Sequence, residues 1–172
     1  MRTELSQRNS SLYSAIAEAN SQSKLSQTLF EIGAVFGYAG TTLMVMPAKI
    51  DHSMIDLVLA SNFTNAFFKA HDVACPPNVC PLYVNVRRSI LPVTWSIQQI
   101  IRQHQIMNAP EPPALALYRD HQLTGGIMLP MTSIDGTRHL IRLDGDRATL
   151  RQEEINDLFM LCMHFFDAFF GN

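Results

Sequence analysis

The sequence predicts an α+β domain in which helices cover a β-sheet, and three observations lead to this fold class. Residues 125–145 contain two β-prone runs separated by a short polar turn, which predicts an antiparallel hairpin with a positive φ at Gly136. On the second run apolar residues alternate with Arg138, Leu140 and Arg142, so one strand face is apolar and the other carries two guanidinium groups. Apolar stripes at helical spacing on both sides of the hairpin supply the cover that the apolar face needs.

Two helices open the chain and two strands follow them. Apolar residues at helical spacing predict helices over residues 10–20 and 23–36, and Gly37 stands where a helix is commonly closed. Runs of apolar and β-branched residues predict strands over residues 41–47 and 54–60.

The middle of the chain is mostly helical. Asn62 is expected to cap a helix that carries Phe63 and Phe67 one turn apart and stops before two consecutive prolines. Pro81 suits the first position of another short helix. The remaining elements are an extended segment over residues 90–94, directly before the only tryptophan, Trp95, and helices over residues 96–103 and 114–122.

The last helix has the most definite start. Residues 149–152 have the spacing of a capping box, and Glu153 and Glu154 in the first turn favour the positive end of the helix dipole. The apolar residues on one side are Ile155, Leu158, Phe159, Cys162, Phe165, Phe166 and Phe169, and those on other sides are Met160, Met163 and Phe170. We therefore expect the sheet to cover one side and a second copy of the chain to cover another, in a homodimer.

Composition limits the function classes. The chain has 172 residues, of which 47% are hydrophobic and 16% charged, so it predicts a single packed domain with some exposed apolar surface. A net charge of −2 without a concentrated basic patch argues against nucleic-acid binding by these residues themselves. The three cysteines, the polar N-terminus and the absence of a long apolar run predict a soluble, cytoplasmic protein.

Several residues keep the spacing of a known family. The aromatic helix carries residues four apart, an x-Pro pair follows, a tryptophan comes about fifteen residues later, and a Gly-aliphatic-x-aliphatic-Pro strand enters the hairpin. The matching positions are Phe63, Phe67, Cys80-Pro81, Trp95 and residues 126–130. With these motifs, residues 12–170 resemble the N-terminal autoinducer-binding domain of the LuxR family of quorum-sensing transcription regulators.

The resemblance implies a three-layer α-β-α sandwich around a mainly antiparallel sheet of about five strands. Residues 1–172 would then form one sensory domain, not an enzyme, that encloses a small-molecule signal and uses no cofactor or metal. LuxR regulators bind DNA through a C-terminal helix-turn-helix, and we expect that domain to be missing because the chain stops where a linker would begin. The last helix would pair with the same chain or with a paralogous regulator, and no membrane contact is expected.

The same resemblance identifies candidate ligand-binding residues. They are Leu59, Phe63, Phe67, Cys80, Tyr83, Trp95, Gly126, Met128, Leu140 and Arg142. In the family a Tyr, a Trp and an Asp hydrogen-bond the lactone head group, but Leu59, Phe63 and Cys80 occupy the matching positions here and would lose ~2–5 kcal/mol of binding. We therefore expect a signal other than a standard acyl-homoserine lactone, as in divergent LuxR solos. The alternative is a ligandless interaction module whose pocket is filled by side chains.

Three further patterns leave alternatives open. Arg142 either faces the pocket, where an uncompensated guanidinium would favour a carboxylate or phosphate, or lies near the sheet edge with its head group in solvent. His71, Cys75 and Cys80 could form a metal site, a redox-sensitive pair or ordinary packing, although no fourth metal ligand lies nearby in sequence. His121 and His139 near the hairpin could act as a base, yet no motif places a nucleophile beside either of them.

Overall fold

A five-stranded antiparallel sheet lies between two helical layers in the computed structural model, which describes residues 2–171. The helices are α1 (Arg2–Glu18), α2 (Gln22–Val35), α3 (Asn65–Ala74), α4 (Pro81–Val86), α5 (Ile97–Ile106), α6 (Ala114–Asp120) and α7 (Gln152–Phe169). The strands are β1 (Gly40–Val45), β2 (Val58–Ser61), β3 (Val93–Ser96), β4 (Gly125–Thr132) and β5 (Arg138–Gly145). Seven helices and five strands in this arrangement confirm the predicted fold class.

The sheet has the strand order β2-β1-β5-β4-β3, so β5 is its centre. The β4–β5 hairpin is confirmed, and Gly136 in its turn has a φ of 85°, as the sequence predicts. Strand β3 pairs only with the first half of β4, from Gly125 to Met128. Pro130 therefore lies where β4 has one neighbour, and its missing N–H breaks no ladder bond.

Each sheet face has its own helical layer. Helices α1, α2 and α7 cover the face that carries Leu43, Ile127 and Ile141. Helices α3 to α6 cover the opposite face, which carries Met128 and Leu140. The alternation predicted along β5 accounts for this division, and the three-layer sandwich follows from it.

Two helix starts differ from the predictions. Helix α1 begins at Arg2 rather than near residue 10. The sequence did not predict its first turns because they are mostly exposed and carry no apolar stripe. The predicted capping box at residues 149–152 is wrong, since the N-cap of α7 is Arg151, whose backbone N–H donates to Glu154 Oε1 at 3.1 Å.

Two predicted starts near β2 are also wrong. Residues 55–57 form a 3-10 turn rather than a strand, and the backbone N–H of Met54 donates to Asp72 of α3 at 2.7 Å. Thr64 rather than Asn62 caps α3, because the Asn62 side chain is held by β1, where it accepts from the Thr41 N–H at 2.8 Å.

The segment before β3 is a turn rather than a strand. The Ser89 hydroxyl bonds both the N–H and the carbonyl of Leu91, so the strand begins at Val93 and includes Trp95. On the central strand β5 the Arg138 guanidinium donates to the carbonyls of Arg87 and Ser89 at 2.5 and 2.7 Å. These two bonds fasten the segment after α4 to the hairpin.

No helix within residues 2–171 combines the length and apolar character that a membrane crossing requires.

Candidate functional site

Two glycines leave a hollow in the sheet beneath α3 and α4, and aromatic side chains fill it. Gly40, Asp144, Gly126 and Trp95 are neighbours across four strands, in that order. The Phe63 ring covers Gly40, where a Cβ would overlap it, and the Trp95 indole covers Gly126. A Cβ on Gly126 would lie only 2.6 Å from Trp95 Nε1, so glycine is required for this packing.

A buried ion pair lies in this hollow. Arg142 and Asp144 are two residues apart on β5, so both side chains point to the α3–α6 face, where they are 1% and 0% exposed. Arg142 Nε and Nη2 donate to the two carboxylate oxygens of Asp144 at 2.8 and 2.9 Å. The third donor, Arg142 Nη1, reaches the Tyr83 hydroxyl of α4 at 2.7 Å.

This ion pair corrects both sequence interpretations of Arg142. Its head group is not in solvent, and it is not an uncompensated cation that waits for an anionic ligand, because Asp144 neutralises it. Burial lowers the pKa of Arg142, but Asp144 together with Tyr83 and Tyr118 raises it more, so the guanidinium stays charged. Burial raises the pKa of Tyr83, which keeps its hydroxyl neutral and able to donate to Met54 Sδ at 3.1 Å.

The hollow contains hydrogen-bond donors for which the described part of the chain shows no acceptor. Within residues 2–171, Trp95 Nε1 is buried without a partner, and Arg142 uses three of its five N–H groups. We call Tyr83, Trp95, Arg142 and Asp144 the buried polar cluster. A buried N–H without a partner costs roughly 1–3 kcal/mol, which an added acceptor would recover.

A second buried polar pair lies next to the Trp95 side of the cluster. His71 of α3 and Tyr118 of α6 share a hydrogen bond of 2.6 Å, and the Tyr118 ring lies 5.1 Å from that of Trp95. Burial and the charge of Arg142 lower the pKa of His71 to about 3, so its imidazole is neutral. Its Nε2 is occupied by Tyr118, and among the described residues no group of three or more His, Cys, Asp or Glu side chains could hold a metal.

Phe63 and Phe67 bound the hollow on the side of Gly40. The rings of Phe63 and Phe67 stack with centroids 4.4 Å apart, although Phe63 precedes α3 instead of belonging to it. Phe63 stands just before the N-cap and meets the ring of Phe68 edge-on at 6.2 Å, which fixes the entry of the chain into the helix.

The structure brings nine of the ten candidate residues together. Those in the buried core of this face are Phe67, Cys80, Tyr83, Trp95, Met128 and Leu140, with Phe63 packed against it and Gly126 and Arg142 in the sheet beneath. Leu59 differs, because its side chain is 45% exposed on the edge strand β2. Beside Cys80 lies a small space of about 20 Å³, which is room for one water molecule.

Sequence reasoning missed Asp144 and the His71–Tyr118 pair. Asp144 carried a usable signal, because residues two apart on a strand share a face and an arginine on a buried face needs an anion. The pairing of His71 with Tyr118 had no signal, because it depends on how α3 packs against α6.

An apolar groove of about 320 Å³ lies on the opposite layer. Its apolar lining includes Ile90, Ile134, Phe159, Met163 and Phe166, and we call it the α7 groove. Ile90 and Ile134 are more than four-fifths exposed, and Met163 is 45% exposed.

Comparison with known proteins rests on structure, because no protein-family model and no curated protein match the sequence. CepR2 from Burkholderia cenocepacia, an N-acylhomoserine lactone dependent LuxR family transcription factor, aligns with a TM-score of 0.67 and 14% identity over 96% of this chain and 93% of CepR2. SdiA in complex with octanoyl-rac-glycerol aligns with a TM-score of 0.63 and 13% identity over 95% of this chain and 64% of SdiA.

GAF domains share the same architecture at slightly lower similarity. The phycoerythrobilin-bound GAF domain of a cyanobacterial phytochrome aligns with a TM-score of 0.59 and 11% identity over 95% of each chain. The central antiparallel sheet and its two helical layers are therefore shared with both groups of structures. Among these neighbours the LuxR family transcription factor CepR2 has a higher score than the GAF domain, so the resemblance to LuxR-family autoinducer-binding domains is confirmed at the level of the fold.

Proposed function

We propose that the chain is the ligand-sensing and dimerisation domain of a LuxR-type bacterial transcription regulator, with a pocket diverged from acyl-homoserine lactone recognition. The buried polar cluster carries this proposal, because Trp95 Nε1 is a desolvated donor without an acceptor in the layer between sheet and helices. A ligand that supplies the acceptor would recover the cost of that donor. DNA binding belongs, in this proposal, to a separate helix-turn-helix domain.

The cluster favours a neutral ligand over an anion. Arg142 is already neutralised by a bidentate bond to Asp144, so a carboxylate ligand would compete with Asp144 instead of filling a vacant charge. The unused N–H groups of Trp95 and Arg142 call for carbonyl, ester or hydroxyl oxygens. The surrounding core, with Phe67, Met128 and Leu140, suits an acyl chain.

Recognition of an acyl-homoserine lactone has no support at two positions. Cys80 offers a thiol where the family has a carboxylate that accepts the ligand amide N–H, and Phe63 offers no indole N–H. The amide donor of the lactone would then be buried without a strong acceptor, which costs roughly 1–3 kcal/mol.

The experiment is a comparison of three octanoyl compounds that differ in head group. Trp95 is the only tryptophan, so its fluorescence reports binding at the cluster, and thermal melts report binding anywhere. We expect 1-octanoyl-glycerol, the ligand class of the SdiA complex, to shift both signals, and octanoate and octanoyl-homoserine lactone to shift neither. A large shift with the lactone would contradict the proposed divergence of the pocket.

A matched pair of variants tests the role of Trp95. Trp95→Phe removes the N–H and should weaken octanoyl-glycerol binding about tenfold in titrations followed by melting temperature. Ile106→Ala, at a residue 79% exposed at the end of α5, should leave the affinity unchanged. Equal affinities in the two variants would show that the Trp95 N–H does not bind the ligand.

A second candidate function is a ligandless interaction module. The observation that favours it is the close packing of the side chains on this face, which leaves only about 20 Å³ of space beside Cys80. Absence of any shift with all three octanoyl compounds, while the protein pairs stably, would favour this candidate.

In both candidates α7 mediates pairing, with the same chain or with a paralogous regulator. The α7 groove is the apolar surface that a partner would cover, and Met163 lies on it. Met163→Glu should shift the protein toward the monomer in sedimentation velocity, because it places a charge in the contact. Val73→Glu, on an 88% exposed residue of α3, is the control and should leave the association unchanged. Equal association of both variants would exclude α7.

A further inference from the structure

Two cysteines flank the loop that joins α3 to α4. Cys75 is the C-cap of α3 and Cys80 is the N-cap of α4, with four residues between them. Both line the same small space of about 20 Å³, where Tyr118 also contributes. They are 7% and 1% exposed, so each sulfur is surrounded by protein while Cys75 retains a narrow opening to solvent.

The two thiols line the same space, and their surroundings affect them differently. Interaction with the Cys75 thiol lowers the pKa of Cys80; burial opposes this shift, and the backbone N–H groups of Leu82 and Tyr83 with the Arg142 charge support it. The same contact raises the pKa of Cys75, and burial raises it further. Cys80 is therefore the more acidic of the two thiols, which suits it to be the nucleophilic thiol and Cys75 to be the resolving one.

We propose that Cys75 and Cys80 are an oxidation site, and that a small peroxide converts them reversibly into a disulfide between the ends of α3 and α4. The Cys80 thiolate attacks one peroxide oxygen, the O–O bond breaks, and the released hydroxide takes up a proton as water. The Cys75 sulfur then attacks the sulfenic sulfur of Cys80 and the S–O bond breaks, releasing a second water. Two thiols lose two hydrogens and two electrons, and the peroxide gains them.

The geometry restricts which oxidant can act and which cysteine responds. Cys75 is only 7% exposed and Cys80 1%, so hydrogen peroxide can reach the sulfurs far more readily than a peptide disulfide such as oxidised glutathione. Cys162 is the internal control, because it is fully buried on α7 in the opposite layer, where desolvation raises its pKa. The site goes beyond the proposed ligand-sensing function, since its chemistry needs no ligand.

The experiment measures thiol loss and mass on the whole chain after exposure to hydrogen peroxide. Trypsin separates the cysteines, because residues 70–87 contain Cys75 and Cys80 while Cys162 lies in a different peptide. We expect the peptide of residues 70–87 to lose the mass of two hydrogens at least about tenfold faster than Cys162 is oxidised. A dithiol reductant should restore it, and oxidised glutathione should not produce it.

The outcomes that overturn the site are also defined. Both thiols remaining reduced while the unfolded protein oxidises, or a mass gain of oxygen without loss of hydrogens, would exclude the disulfide. Cys75→Ala and Cys80→Ala should each abolish the hydrogen loss, and the wild-type mass measurement remains decisive if either variant fails to fold. Because the readout is a peptide mass, the oxidation site can be confirmed or excluded whether or not the protein binds octanoyl-glycerol.

Discussion

Replacing Asp144 by Asn should destabilise the fold more than a change of one atom suggests. The wild-type carboxylate accepts two charge-assisted hydrogen bonds from Arg142, at 2.8 and 2.9 Å, and both residues are almost wholly buried. Asparagine keeps one acceptor oxygen and turns an N–H group toward the guanidinium. The lost charge-assisted bond is worth about 1.5–3 kcal/mol, and the remaining buried cation adds its desolvation cost.

We therefore expect Asp144→Asn to lower the free energy of unfolding by about 3–5 kcal/mol, measured by urea denaturation followed by circular dichroism. Arg142→Met should cost a similar amount, because it leaves the carboxylate buried without its cation. The double variant carries neither charge, so it should regain about 2–3 kcal/mol relative to the sum of the two single changes.

The double-mutant cycle is the control for nonspecific disruption. If the two costs simply add, the residues do not interact as described. If Asp144→Asn lowered the free energy of unfolding by less than about 1 kcal/mol, Arg142 would have to be solvated in the folded protein. The ion pair would then contribute little to stability.

Two other predictions concern stability. Gly126→Ala should cost about 2–3 kcal/mol in urea denaturation, because its Cβ would lie 2.3 Å from the carbonyl oxygen of Leu143, whereas Gly136→Asn in the open turn should cost less than about 1 kcal/mol. An equal cost at both glycines would contradict the close packing at Gly126. Since the pKa of His71 is lowered to about 3, the unfolded chain binds a proton that the folded chain does not, and stability should fall as the pH drops from about 6.5 toward 3, by up to about 1.4 kcal/mol per unit. His71→Gln should remove that component while leaving the smaller one from His139, whose pKa is also lowered, and identical pH profiles of the two proteins would refute the burial of a neutral imidazole.

The sequence predicted best those elements in which apolar residues recur at the spacing of a strand or a helix. Along β5 the alternation of Arg138, Leu140 and Arg142 with apolar neighbours predicted both faces of the central strand, and α7 was found from its dense apolar run. The errors fall where side chains form tertiary bonds. Asn62 looks like a cap but bonds to β1, because a long-range acceptor for the Thr41 N–H outweighs a local cap.

The sequence predicted most of the residues that lie together at the site, but it did not predict the charge of the site. The family spacing brought together residues such as Phe67, Cys80 and Trp95, which have no periodic relation to one another. The charge state of the hollow could not come from that spacing, because it depends on Asp144, a residue at no position of the family pattern. Arg142 was therefore expected either to lack a counter-ion or to reach solvent, and it does neither.

The two bonds from Arg138 to the carbonyls of Arg87 and Ser89 have a mechanical consequence. They couple α4, whose first turn follows Cys80, to the tip of the hairpin, and the segment after Ser89 carries Ile90 into the α7 groove. Helix α4 is thus connected to the buried polar cluster through Tyr83 and to the rim of the α7 groove through Arg87 and the segment after it. A displacement of α4 would therefore either break the two Arg138 bonds or move Ile90 within the groove.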